Sequence, residues 1–133
     1  MTIFSKIVAG DIPAYKVAET NDFLAFLDIN PLVEGHVLVI PKQEIDYLFD
    51  LDDVTYTGLQ IFAKIVADGI KKAIPCKRVG VAVIGLEVPH AHIHLIPLNR
   101  MSDINFQMPK LSFSPQQFEN TARKIREALK KPE

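Results

Sequence analysis

The chain has 133 residues, of which 48% are hydrophobic and 23% charged, and its formal net charge at pH 7 is −1. This length predicts a single domain, residues 1–133, with a core large enough to fold on its own. The balanced charge gives no sign of a surface for nucleic acid or anionic lipid. The single cysteine, Cys76, excludes an intrachain disulfide framework.

The sequence also lacks the usual membrane and export signals. No apolar run approaches the roughly 20 residues that span a bilayer. Residues 1–16 lack the basic start and apolar centre of a signal peptide. We therefore expect a cytoplasmic enzyme or binding protein with no membrane partner and no nucleic-acid partner.

Short elements are predicted in the first third of the chain. Residues 3–10 carry apolar side chains at helical spacing and end at Gly10, which is typical of a short helix with a glycine stop. Residues 14–20, 23–29 and 36–41 are rich in side chains that suit strands. The last two are joined by a polar connection containing Pro and Gly, so we expect them to be antiparallel neighbours.

A long helix is predicted next. From about residue 52 to residue 73, apolar residues recur mostly every three or four positions, and Pro75 follows. Residues 78–88 and 91–98 have strand composition, then comes a loop-like stretch, and a final amphipathic helix begins at Pro115. One long central helix beside several antiparallel strands predicts an α+β fold.

The four histidines lie in two apolar stretches, His36 in GHVLVIPK and His90, His92 and His94 in PHAHIHLIPL. Alternate side chains of a strand point to opposite faces. The three closely spaced imidazoles would therefore share one face and line a cleft, and the apolar residues among them would enter the core. The residues expected in that core are Ala91, Ile93 and Leu95.

Three interpretations of this row of imidazoles remain open. The first is a polar strand face with incidental histidines. The second is a metal site, because imidazole is a common zinc ligand. Glu87 is the only carboxylate or thiol near the row in sequence, however, and three coordinated rings would leave no free nucleophile. The third is covalent catalysis by one imidazole, with the others as hydrogen-bond partners and proton donors. We expect no metal and no cofactor.

The segment HAHIHLI, residues 90–96, resembles the pattern of the histidine-triad (HIT) family, in which three histidines alternate with apolar residues. Residues 3–42 are similar, almost throughout, to the N-terminal half of the Hint-like branch of that family. The resemblance implies a homodimeric protein with the HIT-like α+β fold. It also implies a purine nucleotide ligand and the transfer or hydrolysis of its nucleotidyl group.

The resemblance further implies a role for each matching position. His92, the middle histidine, would attack the α-phosphorus and form a covalent nucleotidyl-histidine that water resolves. His94 would assist the leaving group, while His90 and His36 would fix ring tautomer and orientation. Asp28 would hold the ribose hydroxyls. The candidate walls of the base site are Ile29, Phe4, Ile7, Phe26 and Leu38.

Some of these residues have plainer interpretations. Asp28 has the side chain that ordinarily caps a turn, and it lies just before Asn30 and Pro31. Phe4, Phe26 and Leu38 are side chains that pack in most cores. The sequence alone leaves both alternatives open.

The segment before the triad departs from the family pattern at three positions. Val79 stands where Asn or Gln is common, Leu86 where Gln usually follows Gly, and Glu87 where a small hydroxyl residue often contacts the phosphate. These departures leave the substrate open. Phosphoramidate hydrolysis is the first expectation, with dinucleoside polyphosphate hydrolysis second. A nucleotide-binding sensor or scaffold with little turnover remains a rival of a different class.

Overall fold

The structure is a computed structural model that describes residues 1–130. Within this range the chain forms three α-helices, five β-strands and two short 3₁₀ turns. In chain order the helices and strands are α1 (Ile3–Ala9), β1 (Lys16–Glu19), β2 (Phe23–Leu27), β3 (Val37–Pro41), α2 (Asp53–Ala73), β4 (Arg78–Ala82), β5 (Ile93–Leu98) and α3 (Pro115–Lys130). The 3₁₀ turns are Leu48–Asp50 and Met101–Ile104.

The five strands form one sheet in the order β1-β2-β3-β5-β4, and every neighbouring pair is antiparallel. The chain therefore inserts β5, which comes last in sequence, between β3 and β4. The 21-residue helix α2 packs on this sheet. The predicted α+β architecture, an antiparallel sheet with one long helix, is confirmed.

The two faces of the sheet bury different sets of side chains. The larger core contains the apolar sides of α2 and α3, together with Ala91, Ile93 and Leu95. The smaller core contains Phe4 and Ile7 from α1 and residues from β2 and β3. The residues that β2 and β3 contribute to this smaller core are Leu24, Phe26, Leu38 and Ile40.

The register of the sheet assigns the histidine side of β5 to the face that α1 covers. Phe26 lies opposite Leu38, and Leu38 lies opposite His94. Residues directly opposite each other in an antiparallel pair share a face. His94 therefore lies on the same face as the smaller core, while Ile93 enters the larger one.

The two predicted strands on either side of Pro89 are shorter than expected. The strand predicted over 78–88 ends at Ala82, and the strand predicted over 91–98 begins at Ile93. Between them the chain turns at Gly85, which has a positive φ of 72°. The N–H of Ala91 donates to the carbonyl of Ile45 at 2.7 Å instead of to a sheet neighbour. His90 and His92 therefore precede β5, and only His94 is a strand residue.

The first helix agrees closely with its sequence signals. Thr2 is the N-cap of α1 and accepts a hydrogen bond from the N–H of Ser5, while Gly10 closes the helix in the left-handed conformation.

None of the helices within residues 1–130 is both long and apolar enough to cross a membrane.

Ile93 lies between His92 and His94 in sequence, and its side chain is fully buried in the larger core. It should therefore be a main anchor of the histidine segment. We expect Ile93→Ala to lower the free energy of unfolding by about 2–5 kcal/mol, since it leaves a cavity in the core. Urea denaturation measures this change. Val54→Ala, at an 80% exposed position, is the control and should change stability by less than about 0.5 kcal/mol. Equal effects of the two substitutions would contradict the packing described.

Candidate active site

A cavity of about 420 Å³ opens on the α1 side of the sheet. One wall is apolar and comes from α1, β2, β3 and the segment after α1. His36, His92 and His94 also line the cavity. Every candidate site residue predicted from the sequence lines this cavity except His90. The other predicted residues along it are Phe4, Ile7, Phe26, Asp28, Ile29 and Leu38.

His92 and His94 lie side by side on the cavity wall, with ring centroids 5.0 Å apart. Both side chains are largely buried, with exposed fractions of 7% and 8%. Phe4 of α1 meets the His92 ring edge-on at 5.1 Å and fixes it from the apolar side. The fold thus holds two imidazoles at the rim of a pocket without surrounding them with water.

One hydrogen bond sets the tautomer of His92. Its Nδ1 lies 2.7 Å from the backbone carbonyl oxygen of His90. A carbonyl oxygen can only accept, so Nδ1 carries the proton in neutral His92 and Nε2 carries the lone pair. No partner for Nε2 lies within residues 1–130, and no buried side-chain nitrogen or oxygen in that range lacks a partner. Nε2 is therefore the accessible, nucleophilic nitrogen of this ring.

A second chain of hydrogen bonds fixes His36 and His94. The N–H of Leu32 donates to His36 Nδ1 at 3.1 Å, so the proton of neutral His36 is on Nε2. That Nε2–H donates to His94 Nδ1 at 3.0 Å. Neutral His94 then carries its own proton on Nε2. The two neighbouring rings on the cavity wall therefore differ: His92 presents a lone pair and His94 presents an N–H donor.

The buried rings stay uncharged near neutral pH. Burial, followed by the charge of His94, lowers the pKa of His36 to about 3. Burial, followed by the charge of His92, lowers the pKa of His94 to about 4. Removing an imidazolium from water is costly unless a counter-charge compensates, so burial favours the neutral form. The tautomers deduced above therefore apply to these two rings at pH 7.

His90 lies behind the cavity wall, not on it. Its Nε2 donates to the carbonyl of Pro41 at 2.8 Å, and its Nδ1 lies 2.9 Å from the hydroxyl of Thr2. Because Nε2 donates, Nδ1 accepts the Thr2 O–H. Glu44 in turn accepts from the Thr2 N–H at 2.8 Å and from the Ser5 hydroxyl. His90 thus ties α1 to β3, and its backbone carbonyl orients His92.

Asp28 has two separate contacts. Its Oδ1 accepts the N–H of Asn30 at 2.9 Å, which is the turn-capping bond of an Asp at a strand end. Its Oδ2 lies 3.6 Å from His36 Nε2, and the side chain lines the cavity. Burial raises the pKa of Asp28, and the Asn30 hydrogen bond opposes this. Asp28 therefore caps the turn and also presents an oxygen to the cavity.

The fold brings together a trio that sequence spacing does not show. One ligand atom from each of Asp28, His36 and His94 lies within 4.8 Å of the others. Asp28, not Glu87, is the carboxylate nearest these imidazoles. The donor set does not suit a metal as it stands, because the Leu32 N–H on Nδ1 of His36 keeps the proton on Nε2. A metal on that nitrogen would require this buried hydrogen bond to break.

Two cavity residues lie in the stretch predicted only as a loop. Phe106 meets the His94 ring edge-on at 4.8 Å, and Lys110 lines the cavity beside it. The stretch has no periodicity that would have located either side chain. Tertiary contacts fix the position of this stretch; one is the hydrogen bond from the Leu111 N–H to the Pro31 carbonyl at 2.8 Å.

The three departures from the family pattern lie in different places. Val79 is on β4 and packs against the larger core, away from the cavity. Leu86 and Glu87 line the cavity, although Leu86 is 87% exposed. The Val79 change therefore alters packing, whereas the Leu86 and Glu87 changes alter the cavity itself.

Comparison with known proteins agrees with the resemblance seen in the sequence. The family model described as HIT domain matches residues 9–101. Adenosine 5′-monophosphoramidase hnt1 of Schizosaccharomyces pombe is 35% identical over 134 residues, which cover 96% of this chain and 98% of that protein. Adenosine 5′-monophosphoramidase HNT1 of Saccharomyces cerevisiae is 40% identical over 96 residues, 71% of this chain and 61% of that protein.

Solved structures show the same fold. The crystal structure of a HIT-like protein from Bartonella henselae superimposes with a TM-score of 0.82 and 32% identity, covering 96% of this chain and 95% of that one. A histidine triad nucleotide-binding protein from Sulfolobus tokodaii gives a TM-score of 0.81 and 29% identity, with coverage of 95% and 90%. The family match covers most of the chain, and the described histidine cluster carries the triad, so this chain belongs to the HIT family.

Proposed function

We propose that this protein hydrolyses nucleoside 5′-phosphoramidates, or similar mononucleotide conjugates, through a covalent nucleotidyl-His92 intermediate. The observation that carries the proposal is the hydrogen bond from His92 Nδ1 to the carbonyl of His90. It leaves an unprotonated Nε2 at the edge of a cavity of nucleotide size. Two of the HIT relatives above are named adenosine 5′-monophosphoramidases, which supports this substrate class.

In the first chemical step, His92 Nε2 attacks the α-phosphorus and the P–N bond to the amine breaks. The substrate nitrogen is protonated before it departs, so it keeps the electron pair of that bond and leaves as a neutral amine. His94, whose ring centroid lies 5.0 Å from that of His92, supplies an Nε2–H to hydrogen-bond the departing nitrogen. The oxygen of a water molecule then bonds to phosphorus and the bond from phosphorus to His92 Nε2 breaks. Nε2 recovers its lone pair, a proton of the water passes to solvent, and the nucleoside monophosphate is released.

His36 and His90 act behind the reacting rings. The Leu32–His36–His94 hydrogen bonds keep His94 in the tautomer that donates into the cavity. His90 is held by Thr2 and Pro41, and this fixes the carbonyl that orients His92. Such preorganisation removes the cost of arranging the rings during the reaction.

The nucleoside occupies the rest of the cavity. Asp28 directs Oδ2 toward the cavity after capping its turn with Oδ1, and a carboxylate suits the two vicinal hydroxyls of ribose. The apolar wall suits a purine base. The residues proposed for this wall are Phe4, Ile7, Phe26, Ile29 and Leu38.

The charge of the cavity favours a phosphoramidate over a dinucleoside polyphosphate. Asp28 and Glu87 both line it. Burial raises the pKa of Asp28, and the charge of Glu87 acts in the same direction as a smaller contribution. A polyphosphate leaving group adds several negative charges close to these carboxylates, whereas an amine leaving group adds none. The rival function, nucleotide binding with little turnover, remains an outcome of the following test.

We expect His92→Ala to reduce AMP release from adenosine 5′-phosphoramidate on the order of 10³-fold or more, because it removes the nucleophile. AMP is measured by chromatography, and nucleotide binding by calorimetry on the same samples. Alkaline quenching followed by intact-protein mass spectrometry should show a nucleotidyl adduct in the wild type and none in the variant. If wild type and variant bind AMP equally and neither releases AMP from any phosphoramidate or anhydride, the protein is a binder and the enzymatic proposal is wrong.

We further propose that the protein is a homodimer that pairs through its β4 edge. β4 ends the sheet, so one side of its backbone has no strand neighbour within residues 1–130. Val81 on this strand is 60% exposed, and Ile61 and Ile65 of α2 are 58% and 57% exposed. An open edge beside exposed apolar side chains favours association with another chain.

Size-exclusion chromatography with light scattering tests the dimer. At micromolar concentration the expected mass is twice that of the 14.9 kDa chain. Val81→Lys should shift the mass toward the monomer, because it adds a charge to the proposed interface. A monomer mass for the wild type would contradict the proposal.

A further inference from the structure

Lys110 is the only Lys or Arg among the described residues that line the active-site cavity. The other ionisable groups there are Asp28, Glu87 and the three histidines. With His36 and His94 neutral, the two carboxylates outweigh the single ammonium group. An incoming phosphoryl anion therefore meets a cavity whose fixed charges, without Lys110, would repel it.

The Lys110 ammonium group is oriented by backbone carbonyls. Its Nζ donates to the carbonyl of Phe106 at 2.6 Å and, more weakly, to that of Met108 at 3.4 Å. An ammonium group has three N–H donors, so these contacts leave one donor for a ligand. Carbonyl oxygens orient the charge without cancelling it. Among residues 1–130, no carboxylate forms an ion pair with this side chain.

The segment that carries Lys110 is fastened to the site. The neighbouring Leu111 N–H donates to the carbonyl of Pro31, close to the turn that Asp28 caps. Phe106 contacts the His94 ring at 4.8 Å. The positive charge of Lys110 also contributes, after larger causes, to lowering the pKa of His36 and to opposing the raised pKa of Asp28. The ammonium group therefore acts electrostatically on the part of the cavity where Asp28 and His36 lie 3.6 Å apart.

We propose that Lys110 holds the phosphoryl anion of the bound nucleotide and makes the cavity selective for a phosphorylated nucleoside over the free nucleoside. This inference rests on the nucleotide-binding function proposed above. It assigns a binding role to the loop after β5 and explains how a cavity containing Glu87 accepts an anion. Lys110 offsets the charge of the two carboxylates that line the same cavity.

The test compares the affinities for AMP and adenosine, measured by isothermal titration calorimetry, in Lys110→Met, Lys110→Arg and the wild type. Adenosine has the same base and ribose as AMP but no phosphate. It therefore serves as an internal control for folding and for the rest of the cavity. Lys64→Met, at an exposed position on α2 outside the cavity, is the matched control for loss of a lysine charge.

We expect Lys110→Met to weaken AMP binding about 10- to 100-fold, the loss typical of a hydrogen bond to a charged group, and to change adenosine binding less than about 2-fold. Lys110→Arg should retain most of the AMP affinity, and Lys64→Met all of it. If Lys110→Met lowers both affinities equally, or neither, while the wild type binds AMP, the proposed role of Lys110 is wrong. If the wild type binds neither ligand, the proposed nucleotide function fails as well.

Discussion

The account depends on the hydrogen bond between Nδ1 of His92 and the carbonyl of His90. At 2.7 Å it decides which nitrogen of the central imidazole faces the cavity unprotonated. Much of the surrounding structure maintains this bond. Thr2 and Pro41 hold the His90 ring from two sides, and Ile93 anchors the chain just after His92 in the larger core. The proposed nucleophilic role of His92 therefore depends on this contact, which the backbone of His90 and the packing of Ile93 hold in place.

The four histidines divide into two layers with different tasks. His92 and His94 face the cavity with opposite hydrogen-bonding character, a lone pair and an N–H, which nucleophilic attack and departure of a leaving group require. His36 and His90 lie deeper, and each has both ring nitrogens engaged. Their hydrogen bonds reach outside the cluster, to Leu32 and to Thr2. Burial keeps His36 and His94 neutral, because it lowers the pKa of both rings.

The sequence was sufficient for the cluster but not for all of its geometry. Alternation correctly assigned Ala91, Ile93 and Leu95 to the core, because burial on one face imposes a period of two. It did not show that β5 begins only at Ile93. The backbone N–H of Ala91 bonds to Ile45, a partner more than 40 positions away, and composition cannot report such a contact. The position of His90 behind the cavity wall likewise depends on contacts distant in sequence, such as the bond of its ring to the Pro41 carbonyl.

The other site features that the sequence did not predict also depend on tertiary contacts. Asp28 lies 3.6 Å from His36 only because β2 and β3 pair, and Phe106 and Lys110 reach the cavity through a loop without periodicity. Of the positions that differ from the family pattern, Val79 packs against the larger core while Glu87 lines the cavity. From the sequence, both positions were identified only as departures from the family pattern. Of these two differences, only the one at Glu87 therefore changes the charge of the cavity.

The tautomer of His92 tests the central claim most directly. Long-range ¹H–¹⁵N NMR of the ligand-free protein at neutral pH distinguishes a protonated ring nitrogen from one with a lone pair. Comparison with His92→Gln identifies the His92 signals. The account predicts a protonated Nδ1 and a lone pair on Nε2. A proton on Nε2 of neutral His92, with the lone pair on Nδ1, would contradict it.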